Sequence, residues 1–128
     1  MNYKQKGDVV EVIVQSYFEK NSSWIRTTAN QAYTLKHEQG HFDIAEIFAR
    51  KIRKKLQAKK LSKTKGEAQI KKIWSKLYSE YFAMQKKYDK ATSHSIKEKN
   101  QQKWILKIAK ELKELEAYKN STFIMNFK

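Results

Sequence analysis

The chain has 128 residues, 28 basic and 13 acidic, for a formal charge of +15, a length that suits a single domain over 1–128. Hydrophobic residues make up 40% and aromatics 12%, which excludes a disordered basic tail. The absence of cysteine excludes a disulfide scaffold, Cys-ligated zinc and thiolate nucleophiles, so any metal must be held by His, Asp or Glu. No apolar run is long enough to span a bilayer, and residues 1–8 carry no apolar core of a signal peptide.

The residues from Asp8 to Phe18 alternate, with Val10, Val12, Val14, Ser16 and Phe18 on one face, which predicts a strand. Asn21-Ser22-Ser23 ends it with a turn signal, and Thr28-Ala29-Asn30-Gln31 reads as a capping box opening a helix that runs to about Lys59. Tyr33, His37, His41, Ile44, Ala45, Phe48, Ile52 and Leu56 recur along that helix at three- and four-residue steps, so both histidines face inward. At 1.5 Å per residue the helix spans roughly 45 Å. That is longer than so small a domain needs, so its basic C-terminal end is expected to project.

Leu61 to Gly66 is polar and reads as a helix-to-helix connection. A second helix follows with a stripe of Ile70, Ile73, Trp74, Leu77, Tyr78, Tyr81, Phe82 and Tyr88, ending between Tyr88 and His94. A third, from about Ser95 to Tyr118, buries Ile105, Ile108, Leu112 and Leu115 with Trp104 flanking. The tail from Thr122 to Phe127 is a candidate strand partner for the first strand. The class is α+β, mostly helical, with about three long helices and a small sheet.

The first helix carries His37-Glu38-Gln39-Gly40-His41, an H-E-x-x-H pattern. Residues four apart lie one helical turn above each other, so two imidazoles can reach one zinc ion from one face. Glu38 then stands where a carboxylate can take a proton from an activated water and pass it to a leaving amine. The other reading is that two inward histidines serve only the core. Gly40 favours a site, because a helical glycine costs ~1 kcal/mol and usually marks close approach of another element.

A catalytic zinc keeps three protein ligands, and the one remaining histidine, His94, is the sequence choice for the third. Ile44 and Ile47 exclude the longer metzincin pattern. Among competing ligands, Glu46 is expected to pair with Lys or Arg on the solvated face, and Asp43 suits a supporting or capping role. Asp89 either orients His94 or caps the turn. Tyr88 is a candidate oxyanion donor or a core aromatic. The strand over residues 9–18 is either an edge that pairs with an extended substrate or an ordinary cover for the helix.

The stretch from Leu35 to Glu46, followed by Ala49-Arg50-Lys51-Ile52-Arg53, resembles the central motif of the bacterial predicted secreted zinc-dependent proteases, a family catalogued mainly as a domain of unknown function. Tyr88-Asp89-Lys90-Ala91-Thr92-Ser93-His94, with Gln102 and Trp104 after it, is similar to that family's second motif, Tyr-Asp-x-x-Thr-x-His followed by Gln and Trp. The resemblance covers about residues 10 to 116. It implies a zincin-like metallopeptidase acting on peptide or protein substrates, with His37, His41 and His94 on zinc and Glu38 as base. It also implies a secreted or periplasmic location; because such family members usually begin with a signal peptide and additional N-terminal strands, the chain reads as either a fragment or a short version of the family.

A second function class comes from charge. Residues 51 to 65 hold Lys51, Arg53, Lys54, Lys55, Lys59, Lys60, Lys63 and Lys65, beside Arg50. Such a stretch suits a non-enzymatic helical module binding polyanions or a protein partner. Nucleic acid is disfavoured as the partner, since no knuckle, aromatic RNA-binding motif or helix-turn-helix signature accompanies it.

Overall fold

The structure, a computed structural model, describes residues 2–6, 9–15, 31–59, 65–92 and 98–126. Among these, strands β1 (Asn2–Lys6) and β2 (Val9–Ile13) precede helices α1 (Gln31–Ala58), α2 (Gly66–Thr92) and α3 (Glu98–Glu114). A 3-10 turn at Glu116–Tyr118 then leads to strand β3 (Thr122–Asn126). The chain is mostly helical with one small antiparallel sheet, and no described helix is long and apolar enough to cross a membrane.

The sheet order is β1-β2-β3, with Tyr3 opposite Val12 in one ladder and Val12 opposite Phe123 in the other. Over Val9–Ile13, the part of the expected 9–18 strand that forms β2, the strand is therefore central. Its backbone there is paired on both sides, which corrects the edge-strand reading for the described residues. The tail strand pairs with it as the pattern suggested, and the ladder continues where Val14 N donates to Ser121 O at 2.8 Å. The alternation is borne out at Val12 and Val14, which are fully buried, while residues 16–18 lie outside the described residues.

β1 was not anticipated. Its five residues are mostly polar, so hydrophobic alternation is faint. The readable signal is Gly7-Asp8, a two-residue connection of the hairpin type between two short runs.

α1 is the central element and packs against α2, α3 and β3. Being covered on several sides, it buries Ile47 and Ala49 in addition to the expected Ile44, Ala45, Phe48, Ile52 and Leu56. Each large aliphatic side chain so buried contributes about 1.5–3 kcal/mol. Its C-terminal end does not project as expected: Leu56 is fully buried, and Arg53 is only 1% exposed.

α2 turns Ile70, Leu77, Gln85, Tyr88 and Thr92 inward. Tyr78 and Phe82, expected on the buried stripe, are exposed and stack with Trp74 and Tyr81 along the outer side. On α3, Ile108 and Trp104 are buried, so Trp104 belongs to the core rather than its margin. Leu115, just past α3, is buried with them.

Candidate metal centre

The site lies where α1, α2 and α3 meet, and helical spacing builds it. Residues 37, 40, 41 and 44 form one face of α1, and residues 85, 88, 89 and 92 form the facing side of α2. Gly40 makes their approach possible. A Cβ built there would overlap the Tyr88 hydroxyl and stand 2.5 Å from Tyr88 Cζ. The helix tolerates its glycine because the Tyr88 ring occupies that space.

His37 and His41 come together one turn apart, as the spacing requires, with ring centroids 4.9 Å apart. Tyr88 lies between the helices, stacked on His37 and edge-on to His41, each at 4.8 Å between centroids. His37 Nε2 lies 3.0 Å from Asp89 Oδ1, and His41 Nε2 lies 2.8 Å from the same oxygen. Asp89 thus converges with both imidazoles, and ligand atoms of His37, His41 and Asp89 all lie within 4.8 Å of one another. These three residues could hold a metal ion. Asp89 was weighed in sequence as a competitor to His94, and it is the carboxylate that the structure brings to the pair. His94, the sequence choice for third ligand, lies outside the described residues.

Glu38 is half-buried, and its Oε2 is buried with no hydrogen-bond partner among the described residues. A carboxylate oxygen kept dry and unpartnered is costly unless it has something to do. Asp43 is not part of the His37, His41 and Asp89 cluster and accepts a hydrogen bond from Gln39 Nε2 at 2.9 Å. Burial pushes the Asp43 carboxyl above its ordinary range. The Gln39 bond and the nearby Arg50 charge pull it partly back, and Glu46 pushes it up.

The other polar ring atoms are held from behind. Gln85, on α2, sets Oε1 against His41 Nδ1 and donates from Nε2 to His41 O at 3.0 Å. Gln101, on α3, sets Oε1 3.1 Å from His37 Nδ1 and donates from Nε2 to Tyr88 Oη at 2.8 Å. Tyr88 Oη in turn donates to His37 O at 2.8 Å. Thr92 donates to Tyr88 O at 2.7 Å and lies 3.2 Å from His37 Nδ1. Tyr88 is fully buried, and its hydroxyl donates to His37 O and accepts from Gln101.

Sequence reasoning missed Gln85 and Gln101, and it quoted Thr92 only as the threonine of the second motif, with no role. The motif comparison pointed to Gln102, which is exposed, whereas its neighbour Gln101 is 2% exposed and in the site. A signal was available. Gln101 lies three residues before Trp104 and seven before Ile108, on their face of α3, as a polar residue on an apolar stripe.

The basic stretch is partly spent inside the protein. Arg53 donates to Val14 O at 2.8 Å, Tyr118 O at 2.9 Å and Glu46 Oε2 at 3.0 Å. Arg50 bonds Glu46 Oε2 and Leu112 O. Glu46 does pair with arginine as expected, but half-buried between two of them and not on a solvated face. Lys54, Lys55, Lys59 and Lys65 are exposed.

Residues 17–95 match the model of a family described as "Bacterial protein of unknown function (DUF922)". The chain belongs to this family. The DUF922 match takes in both sequence motifs, from the histidine pair on α1 to Asp89 and His94, and stops before Gln101 on α3. Comparison with curated proteins and with solved structures gives no significant match.

Proposed function

We propose that this DUF922 protein is a zincin-like, zinc-dependent hydrolase cleaving peptide bonds, with Glu38 as general base. The observation that carries the reading is the convergence of His37 Nε2, His41 Nε2 and Asp89 Oδ1 on α1 and α2. The donor set fits zinc: two imidazole nitrogens and a carboxylate oxygen are borderline ligands of the kind zinc takes. His37 and His41 would hold the ion, with Asp89 as the carboxylate ligand and His94 as the sequence candidate for the same role. When bound, zinc supplies Lewis acidity toward a water and a substrate carbonyl.

The rest of the chemistry belongs to the chain. Glu38 follows His37 directly, and its Oε2, which has no hydrogen-bond partner among the described residues, is the oxygen that accepts a proton. As water attacks the amide carbon, that proton moves to Glu38, and from Glu38 to the departing amine nitrogen. Removing Glu38's basicity while keeping its shape tests this. Glu38→Gln should lower peptide hydrolysis by roughly 10²–10⁴-fold and leave zinc content unchanged. Undiminished hydrolysis by Glu38→Gln would remove Glu38 from the mechanism.

A secreted or periplasmic location accompanies this reading through the sequence resemblance. The rival, a polyanion-binding module, rests on the exposed Lys54, Lys55, Lys59 and Lys65 and loses Arg50 and Arg53 to internal bonds.

A further inference from the structure

We infer that Gln85, Gln101 and Tyr88 are positioning residues that lock both histidines as the tautomer with hydrogen on Nδ1, so that two Nε2 lone pairs face one point. The inference deepens the proposed metal site, but the tautomers themselves are a property of the metal-free protein.

The direction of each bond follows from what each atom can do. His41 O is a carbonyl and only accepts, so the amide nitrogen of Gln85 must face it, at 3.0 Å. Gln85 Oε1 then faces His41 Nδ1. Two acceptors cannot share that contact, so the hydrogen is on Nδ1.

His37 is fixed by a longer loop. Tyr88 Oη spends its one hydrogen on His37 O. Its oxygen can therefore only accept from Gln101, which turns the Gln101 nitrogen toward Tyr88 and Oε1 toward His37 Nδ1. Thr92 has spent its hydrogen on Tyr88 O, so its oxygen is a second acceptor for the same Nδ1. The loop closes on its starting residue, from His37 Nδ1 through Gln101 and Tyr88 to His37 O. The amide directions here are set by partners of fixed role, not by choice between similar atoms.

Asp89 opposes this arrangement, because its carboxylate favours hydrogen on Nε2. Burial decides the contest. The Asp89 side chain is 58% exposed and can turn to water, whereas Gln85 is 9% and Gln101 2% exposed. An acceptor facing a lone pair on the buried side has no water to turn to. Partners on the far ring nitrogen commonly set a ligand histidine's tautomer, and their loss lowers metal affinity by about 10–100-fold. Here the two rings are governed from different helices, His41 from α2 and His37 from α3 through Tyr88.

Long-range proton–nitrogen correlation spectra of the metal-free protein, at alkaline pH where imidazoles are neutral, read both tautomers directly. Both rings should carry hydrogen on Nδ1. Tyr88→Phe combined with Thr92→Val, which removes the second acceptor, should release His37 into the other tautomer while His41 keeps its own, and Gln85→Met should do the reverse. Each should weaken zinc binding about 10–100-fold. Where the Tyr88→Phe pair fails to fold, Gln101→Met with Thr92→Val reports on the same ring. Hydrogen on Nε2 of either ring in the parent protein, or tautomers unmoved in folded variants, overturns the lock. Nδ1–H rings in a protein that takes up no zinc support the lock and count against the hydrolase reading.

Discussion

Gly40 and Tyr88 set the separation of α1 and α2 at the histidine pair, because the tyrosine ring fills the volume a side chain at position 40 would need. Tyr88 stacks on His37 and bonds its carbonyl, so any outward shift of the ring also disturbs the histidine pair.

Gly40→Ala therefore tests the contact against helix propensity. Alanine gains up to ~1 kcal/mol in a helix interior. The clash with a fully buried ring should outweigh it and leave the variant about 1–3 kcal/mol less stable. Urea unfolding of the two proteins measures the difference, and a variant more stable than its parent would show that the helices separate freely.

Arg53 is a structural cation and not a docking one. Arg53→Met takes the arginine donor from Val14 O and Tyr118 O and leaves Glu46 with Arg50, and it should cost about 3–5 kcal/mol, as when one partner of a buried ion pair is removed. Lys54→Ala, one residue on and exposed, should fall within about 0.5 kcal/mol of the parent. Thermal or urea melts of both variants distinguish these roles. Polyanion binding, if present, should be abolished by Lys54→Glu with Lys55→Glu and Lys59→Glu and be indifferent to His37→Ala.

Asp43 gives a pH-dependent outcome whose sign follows from its raised carboxyl. A group with a raised folded-state value stabilises the fold below its ordinary value, 3.8, and that contribution is lost as pH rises through the higher folded value. Asp43→Asn cannot ionise and still accepts from Gln39. Its melting temperature should exceed the parent's at neutral pH, and the gap should close below 3.8. A gap that widens on acidification would reverse the assignment.

Asp89→Asn and His94→Ala apportion the third ligand. If Asp89 is the carboxylate ligand, its substitution should weaken zinc binding by at least about tenfold while His94→Ala has a smaller effect. The opposite ranking would return the third position to His94. Zinc titration with a competing chelator reads both.

Much of this fold was legible because its elements carry strong local patterns. α1 was expected from 28 to about 59 and runs Gln31–Ala58, and the H-E-x-x-H spacing by itself placed the histidines together. What could not be read was decided by tertiary partners. A periodic stripe says which face is apolar, not how much of it another element covers, so Tyr78 and Phe82 stayed exposed while Ile47 and Ala49 were buried. Arg53 looked like surface charge because its partners, Val14 O and Tyr118 O, are backbone atoms 39 and 65 residues away. Gln85 and Gln101 resemble any polar helix residue until α1 supplies the rings they hold. Strand order too was invisible, since alternation in residues 9–14 is the same for a central strand and for an edge.

The central claim is that the histidine pair and Asp89 hold one zinc ion. Elemental analysis of tag-free protein purified without chelator tests it most directly, alongside the His37→Ala/His41→Ala double variant. One zinc per chain in the parent and none in the variant is the expected result. No zinc in the parent, even after reconstitution, or equal zinc in both proteins, would contradict it.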